Sequence, residues 1–343
     1  MKSKFFLILV SSLLISFPLV SHTQEALPKK APVPKDNPLS AEKILLGKTL
    51  YFDPRLSHDG TISCNSCHNV MLGGDDNRAF SAGVGGKLGG RSSPTVWNAA
   101  FLSVQFWDGR AASLEEQAEG PLVNPVEMAN PNHQFVVDRI AKIPGYKKMF
   151  DKVFGAGNNI TIKNVTKSIA AYERTLITPN SKFDKYIKGN KKAYSEEEVK
   201  GFELVKSTGC FSCHSGPNFA GPMLPPGTGF YMKFPTFPGS EYEKKYDLLK
   251  DLGRFEVTKK EEDKHMWRVP TLRNIALTAP YLHNGSAATL DEAVRVMAKT
   301  QLNKDLTDME VKSIVAFLKT LTGELPIQTL PLLPATEGTF LTQ

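Results

Sequence analysis

Cysteine is nearly absent from this chain, four in 343 residues, too few for a fold held together by a dense disulfide framework. Charge of one sign is not in large excess either. Against 42 Lys and Arg stand 35 Asp and Glu, a formal net charge of +7, and the basic residues are dispersed, which argues against nucleic acid as a partner. A mildly basic surface instead suits an acidic protein partner. After the first two dozen residues no apolar run is long enough to span a bilayer, so the mature chain is expected to carry no membrane span. Alternating apolar and polar residues are scarce, and this excludes a β-sandwich or barrel.

What is present begins at the N-terminus. In "MKSKFFLILVSSLLISFPLVSHTQEA", Lys2 and Lys4 precede an apolar run from Phe5 to Val20, then a polar, small-residue stretch. That is the pattern of a secretory signal peptide, assigned to residues 1–23, and it predicts export to the periplasm. The roughly 315 residues that remain exceed what a single growing core accommodates, so two domains are expected.

The four cysteines all lie in one repeated pentad. "CNSCH" holds Cys64, Cys67 and His68; "CFSCH" holds Cys210, Cys213 and His214. Two disulfides or a zinc site built from two Cys-x-x-Cys pairs need no histidine directly after each pair. Cys-x-x-Cys-His is the attachment signature of haem c. Two covalently bound haem c groups follow, with His68 and His214 as proximal iron ligands.

Apolar periodicity is helical throughout, as in "VTKSIAAYERTLI" (165–177), "TLDEAVRVMAK" (289–299) and "TDMEVKSIVAFLKTL" (307–321). The expected fold is all-α: two cytochrome c-like helical domains, each wrapped with long loops around one haem. A Pro-rich lead-in covers 24–39. The first domain runs over 40–178, a polar, turn-rich linker over 179–196, the second domain over 197–322, and a tail over 323–343 is expected to pack back on a domain. Ser195 opens a capping-box start and Gly209 closes that helix before the second pentad.

The chain also repeats itself. Setting "RSSPTVWNAAFLSVQFWDGRAASLEEQAEGP" from Arg91 beside "RVPTLRNIALTAPYLHNGSAATLDEAVRVM" from Arg268 brings Pro94 onto Pro270, Asn98 onto Asn274, Gly109 onto Gly285 and Glu116 onto Glu292. Differences between the copies mark different tasks. Met297, on the predicted helix 289–299, is placed as an axial thioether would be, although Met223, Met232 and Met266 compete for that position. Pro121 aligns with Met297 and offers iron no lone pair. One haem is thus closed and the other open, and an open haem binds and activates small molecules. Past Pro121, "LVNPVEMANPNH" offers Glu127 and His133 for proton transfer to a bound peroxide. Trp107 aligns with His283; its indole is either core packing or an electron relay between the haems.

Taken together, "LSHDGTISCNSCHN", "RSSPTVWNAAF", "QFWDGRA", "EGPLVNPVEM", "ERTLITPNSKFD", "GCFSCHSG" and "RVPTLRNIALTAPYLHNGS" resemble the bacterial di-haem cytochrome c peroxidases, in the superfamily that includes the MauG-type enzymes, over roughly residues 40–325. The resemblance implies reduction of hydrogen peroxide at the His68 haem, and a high-potential haem on His214 and Met297 that accepts electrons from a small cytochrome c or cupredoxin. It further implies Trp107 between the haems, Glu127 as the acid–base residue with Gln117 nearby, and a homodimer. MauG-type members carry a tyrosine in place of the axial methionine, so Met297 points to the peroxidase branch. A MauG-like oxidase of a protein or small molecule and a plain di-haem electron carrier are the alternatives.

Two departures from the family pattern stand out. Family members hold calcium through carbonyls matching Thr278 and Pro280 and an asparagine side chain, where this chain has Ser92, a poorer oxygen donor. The family loop also places a capping histidine where "SAGVGG" has Val84. Valine cannot ligate iron, so the first haem is expected to be open in the oxidised enzyme without reductive activation; His58 and His133 are the candidates to replace that ligand.

Overall fold

The computed structural model describes residues 24–337; the signal peptide expected over 1–23 and the end of the tail lie outside the described residues. Among the described residues the chain forms twelve α-helices and one two-stranded sheet. The helices are α1 (Ala41–Phe52), α2 (Cys64–Cys67), α3 (Leu114–Val123), α4 (His133–Ala141), α5 (Pro144–Phe154), α6 (Ile162–Glu173), α7 (Lys182–Ile187), α8 (Glu196–Thr208), α9 (Glu241–Lys245), α10 (Phe255–Thr258), α11 (Leu290–Leu302) and α12 (Asp308–Lys319). Strands β1 (Tyr231–Lys233) and β2 (Met266–Arg268) pair antiparallel, with Tyr231 opposite Arg268. The predominance of helix agrees with the periodicity of the apolar residues.

Local sequence sets most helix starts. Ser40, Ser113, Thr161, Ser195, Thr289 and Thr307 each accept a backbone N–H from the third residue of the helix they open, which satisfies donors a helix N-terminus leaves free. At α8, α11 and α12 the glutamate at that third position reaches back, completing a capping box. Gly209 ends α8 in the left-handed region at φ 99°.

Two separate apolar cores form. One gathers Leu46, Leu50, Tyr51, Trp97, Phe150 and Ile169; the other gathers Phe183, Val205, Phe219, Val296, Phe317 and Leu321. Each rests on one helix crossing of very close approach. A Cβ on Gly47 of α1 would lie 1.8 Å from the Ser168 carbonyl oxygen of α6, and one on Gly201 of α8 would lie 1.9 Å from the Ser313 carbonyl of α12. Glycine is therefore required at both crossings. Phe183, inside the stretch expected as a linker, is fully buried in the second core on α7. The tail runs back over the first core, with Gln328 accepting from the Tyr172 hydroxyl at 2.9 Å and the Pro334 carbonyl accepting from Arg55 at 2.9 Å.

The internal repeat recurs in the backbone. Asn98 and Asn274 are both left-handed (φ 64° and 60°), as are Phe106 and Leu282 (67° and 74°) and Gly109 and Gly285 (66° and 61°). Isolated bridges join Gln105 to Ala111 and Tyr281 to Ala287 at matching places. The two copies meet at Thr178, whose hydroxyl oxygen accepts from Asn98 Nδ2 at 2.8 Å and from Asn274 Nδ2 at 2.9 Å.

Candidate functional site

Each pentad folds as a tight turn, the first as α2 and the second as a 3-10 turn over Cys210–Ser212. The backbone N–H of His68 bonds the Cys64 carbonyl and that of His214 the Cys210 carbonyl, each at 3.0 Å. None of the four cysteines is in a disulfide. His68 Nδ1 donates to the Pro94 carbonyl at 2.9 Å and His214 Nδ1 to the Phe219 carbonyl at 3.1 Å. Each bond leaves Nε2 free, which is how a protein orients an imidazole toward a metal. Burial lowers the basicity of both rings and favours the neutral, ligating form.

Above the first pentad opens a cavity of ≈ 410 Å³ lined by Cys64, Cys67 and His68 together with Gln117, Pro121 and Glu127. The structure thus brings together residues that the sequence separates by up to half a domain. Gln117 and Pro121 lie on α3, and Asn124 caps the end of that helix. In the turn that follows, Glu127 Oε1 accepts from Asn124 Nδ2 at 2.7 Å. Burial raises the Glu127 carboxyl above its ordinary range, with Arg110 and the Asn124 bond opposing.

The 81–89 loop is a small hairpin closed by an Ala82–Leu88 bridge, with Gly85 and Gly86 left-handed (φ 69° and 72°). Its backbone lies directly on the Glu127 segment: Val84 N–H bonds the Glu127 carbonyl at 2.8 Å, and a Cβ on Gly83 would sit 2.2 Å from the Val126 carbonyl. Gly83 lines the cavity and Val84 does not. His58 is exposed beside Phe135, with ring centres 5.6 Å apart, and His133 Nε2 bonds the Glu119 carbonyl at 2.9 Å. Neither histidine lines the cavity.

A second cavity of ≈ 230 Å³ is lined by Cys210, Cys213, His214, Met297 and Met232. Met223 is 57% exposed, and neither it nor Met266 reaches this cavity. Helices α3 and α11 start in the same register, at Leu114 and Leu290, so Pro121 and Met297 occupy equivalent positions, each at its own cavity. Trp107 lines both cavities; its Nε1 donates to the Ser92 carbonyl at 2.8 Å and its own carbonyl accepts from Arg268 N at 2.9 Å.

Several residues here escaped the sequence reading. Arg268 also lines both cavities and is 4% exposed, and its guanidinium donates to the carbonyls of Phe106 and Val269. Burial lowers its pKa to about 10. Arg91, held by Asp108, joins the two halves through a bidentate pair with Asp251 at 2.6 and 2.9 Å. Trp267 stacks on His283 at 4.2 Å, beneath the Arg91 guanidinium. Glu173 faces the first cavity from α6. The only sequence signal for the two arginines was their place at the start of the repeated stretches.

Two apolar pockets, each with a pair of unbridged thiols and an imidazole turned by its Nδ1 bond, fit covalently held haem. The residues matched to calcium fit that ion poorly. The Ser92 hydroxyl donates to the Arg78 carbonyl at 3.4 Å, and Asn77 Nδ2 donates to the carbonyls on either side of Thr278, those of Leu277 and Ala279.

A helical fold of two cores with two such pockets defines a protein built to carry two haem groups. The chain matches the family model for di-haem cytochrome c peroxidase over residues 41–192. It is 46% identical over 303 residues to the cytochrome c551 peroxidase of Nitrosomonas europaea, covering 88% of this chain and 86% of that protein. To the cytochrome c551 peroxidase of Pseudomonas aeruginosa it is 42% identical over 342 residues, covering 96% of each. Among solved structures, a MauG-like protein associated with microbial copper homeostasis superposes with a TM-score of 0.75 at 29% identity, covering 87% of this chain and 95% of that one. The chain belongs to the di-haem cytochrome c peroxidase family, and it is a di-haem peroxidase, an oxidoreductase.

Proposed function

We propose that this enzyme works in the periplasm, reducing hydrogen peroxide to two waters with two protons and two electrons from a small cytochrome c or cupredoxin. The unit over 40–178 is the peroxidatic one and that over 197–322 the electron-accepting one. Haem bound at each pentad supplies the redox-active iron. His68 offers Nε2 to one face of the first site, and Pro121 leaves the other face without a protein ligand. Glu127, its carboxyl raised by burial, takes the proton from one oxygen of peroxide and returns it to the other, with Gln117 beside it. On the electron side, His214 and Met297 hold the second site closed, and Trp107 bridges the two cavities.

The observation that carries this reading is the pairing of Pro121 with Met297 at one helical register. With Val84 held outside the cavity by its bond to the Glu127 carbonyl, the first site is open before any reduction. Visible and EPR spectra of the fully oxidised protein test this. One high-spin and one low-spin haem are expected, with the high-spin signal lost on peroxide addition. Two low-spin, six-coordinate haems overturn the reading and leave the electron carrier.

A further inference from the structure

The two crossings described above make α6 and α12 equivalent. Ser168 and Tyr172 meet Gly47 as Ser313 and Phe317 meet Gly201, and Leu176 and Leu321 each offer a carbonyl to the left-handed asparagine of their own copy. Ile169 therefore corresponds to Ile314 and Glu173 to Leu318. All four line their respective cavities. At one place in the fold the second copy keeps a leucine and the first a carboxyl.

That carboxyl is uncommitted. Glu173 is 6% exposed, and its Oε2 is sealed from solvent with no hydrogen-bond partner. The charged and titratable groups around it come from every neighbouring element: Tyr51 of α1, Cys64 of α2, Glu115 of α3, and the adjacent Tyr172 and Arg174. The hydrogen-bonding ones among them are engaged elsewhere. Tyr51 donates to the His68 carbonyl at 2.6 Å, Tyr172 to Gln328 at 2.9 Å, and Arg174 holds Glu115 through two bonds of 2.7 and 3.0 Å. Packing does not require an acid here, since leucine serves in the other copy, and an ionised carboxylate buried without a partner is costly.

We propose that Glu173 is a proton-exchanging group tied to the charge of the first haem: it takes up one proton from solvent when that site gains one electron from the enzyme's one-electron donor, and releases it when the electron leaves. The donor is oxidised by one electron, the first site is reduced by one, and the net charge of the cavity is unchanged. The carboxyl responds because a unit charge acts strongly across a low-dielectric pocket. Burial pushes its pKa up to about 8, so protonation changes near neutrality are within reach of that charge. The proposal rests on the reading that the first cavity holds a haem on His68.

The test is a spectroelectrochemical titration of the holoenzyme from mildly acidic to mildly alkaline pH. In the wild type, the reduction equilibrium of the first haem should shift up to tenfold per pH unit, about 59 mV, while the second haem stays flat. E173Q and E173L should abolish the slope; E127Q should keep it. A flat first haem in the wild type, or an unchanged slope in E173Q, overturns the proposal. A haem count of one instead of two defeats the reading beneath it. Should the Glu173 variants fail to fold, the reduced-minus-oxidised infrared spectrum of E127Q decides: a carboxylic-acid band appearing on reduction supports the assignment, and its absence overturns it.

Discussion

Glu127 and Glu173 line the first cavity and Glu115 lies beside Glu173, and what faces each carboxyl separates them. Burial acts on all three, but the bidentate Arg174 and the Asn37 amide hold Glu115 below the ordinary range. Such a carboxylate is structural. Glu127 has only the Asn124 amide and the field of Arg110 against its burial, and it stays raised. In the proposed role it must be ionised to accept a proton from peroxide, so turnover should fall as pH drops through a pKa above the usual carboxylate range. Glu127→Gln is expected to remove that acid limb and lower kcat by ~10²–10⁴-fold, with both haem spectra intact. Steady-state rates against pH check this, and unchanged turnover removes Glu127 from the role.

At the scale of elements, two helices share an entry and differ where each meets its cavity. Ser113 opens α3 and Thr289 opens α11, each accepting from a glutamate N–H at the same offset. Two turns on, the first presents a proline and the second a thioether. A thioether ligand raises haem potential, so Met297→Ala should lower the potential of the second haem and stop donor oxidation, measured by redox titration. An unshifted potential transfers the ligand role to Met232, the other methionine of that cavity. The hairpin over 81–89 shows what element-level placement adds to a substitution. That valine at 84 offers iron no ligand was legible; that the loop backbone braces the Glu127 turn was not.

At the scale of the molecule, Thr178 joins the two copies through buried polar contacts. Its hydroxyl, Asn98 and Asn274 are all fully buried. Thr178→Val keeps the shape and removes the shared oxygen, leaving two amide donors without it. Each buried donor left unsatisfied costs ~1–3 kcal/mol. A lower urea midpoint at unchanged m should follow, and a loss under ~0.5 kcal/mol would show that the asparagines find other acceptors. The Arg91–Asp251 pair joins the two copies, and the indole of Trp107 lines both cavities.

What the sequence determined by itself is local: pentads, caps, helical periods and a gapless repeat over 94–116 all depend on residues near one another in the chain. Hence the helical class, the thiols and imidazoles and the Pro121–Met297 contrast were readable from spacing. The equivalence of Glu173 with Leu318 was not. Helices α4 and α5 lie between α3 and α6, whereas α11 runs almost directly into α12, and only the glycine crossings restore the register. No local pattern marks Arg268 and Glu173 as buried; packing places them against the cavities. Burial and partnership are made by segments far apart in the chain, and those contacts exist only once the helices have closed.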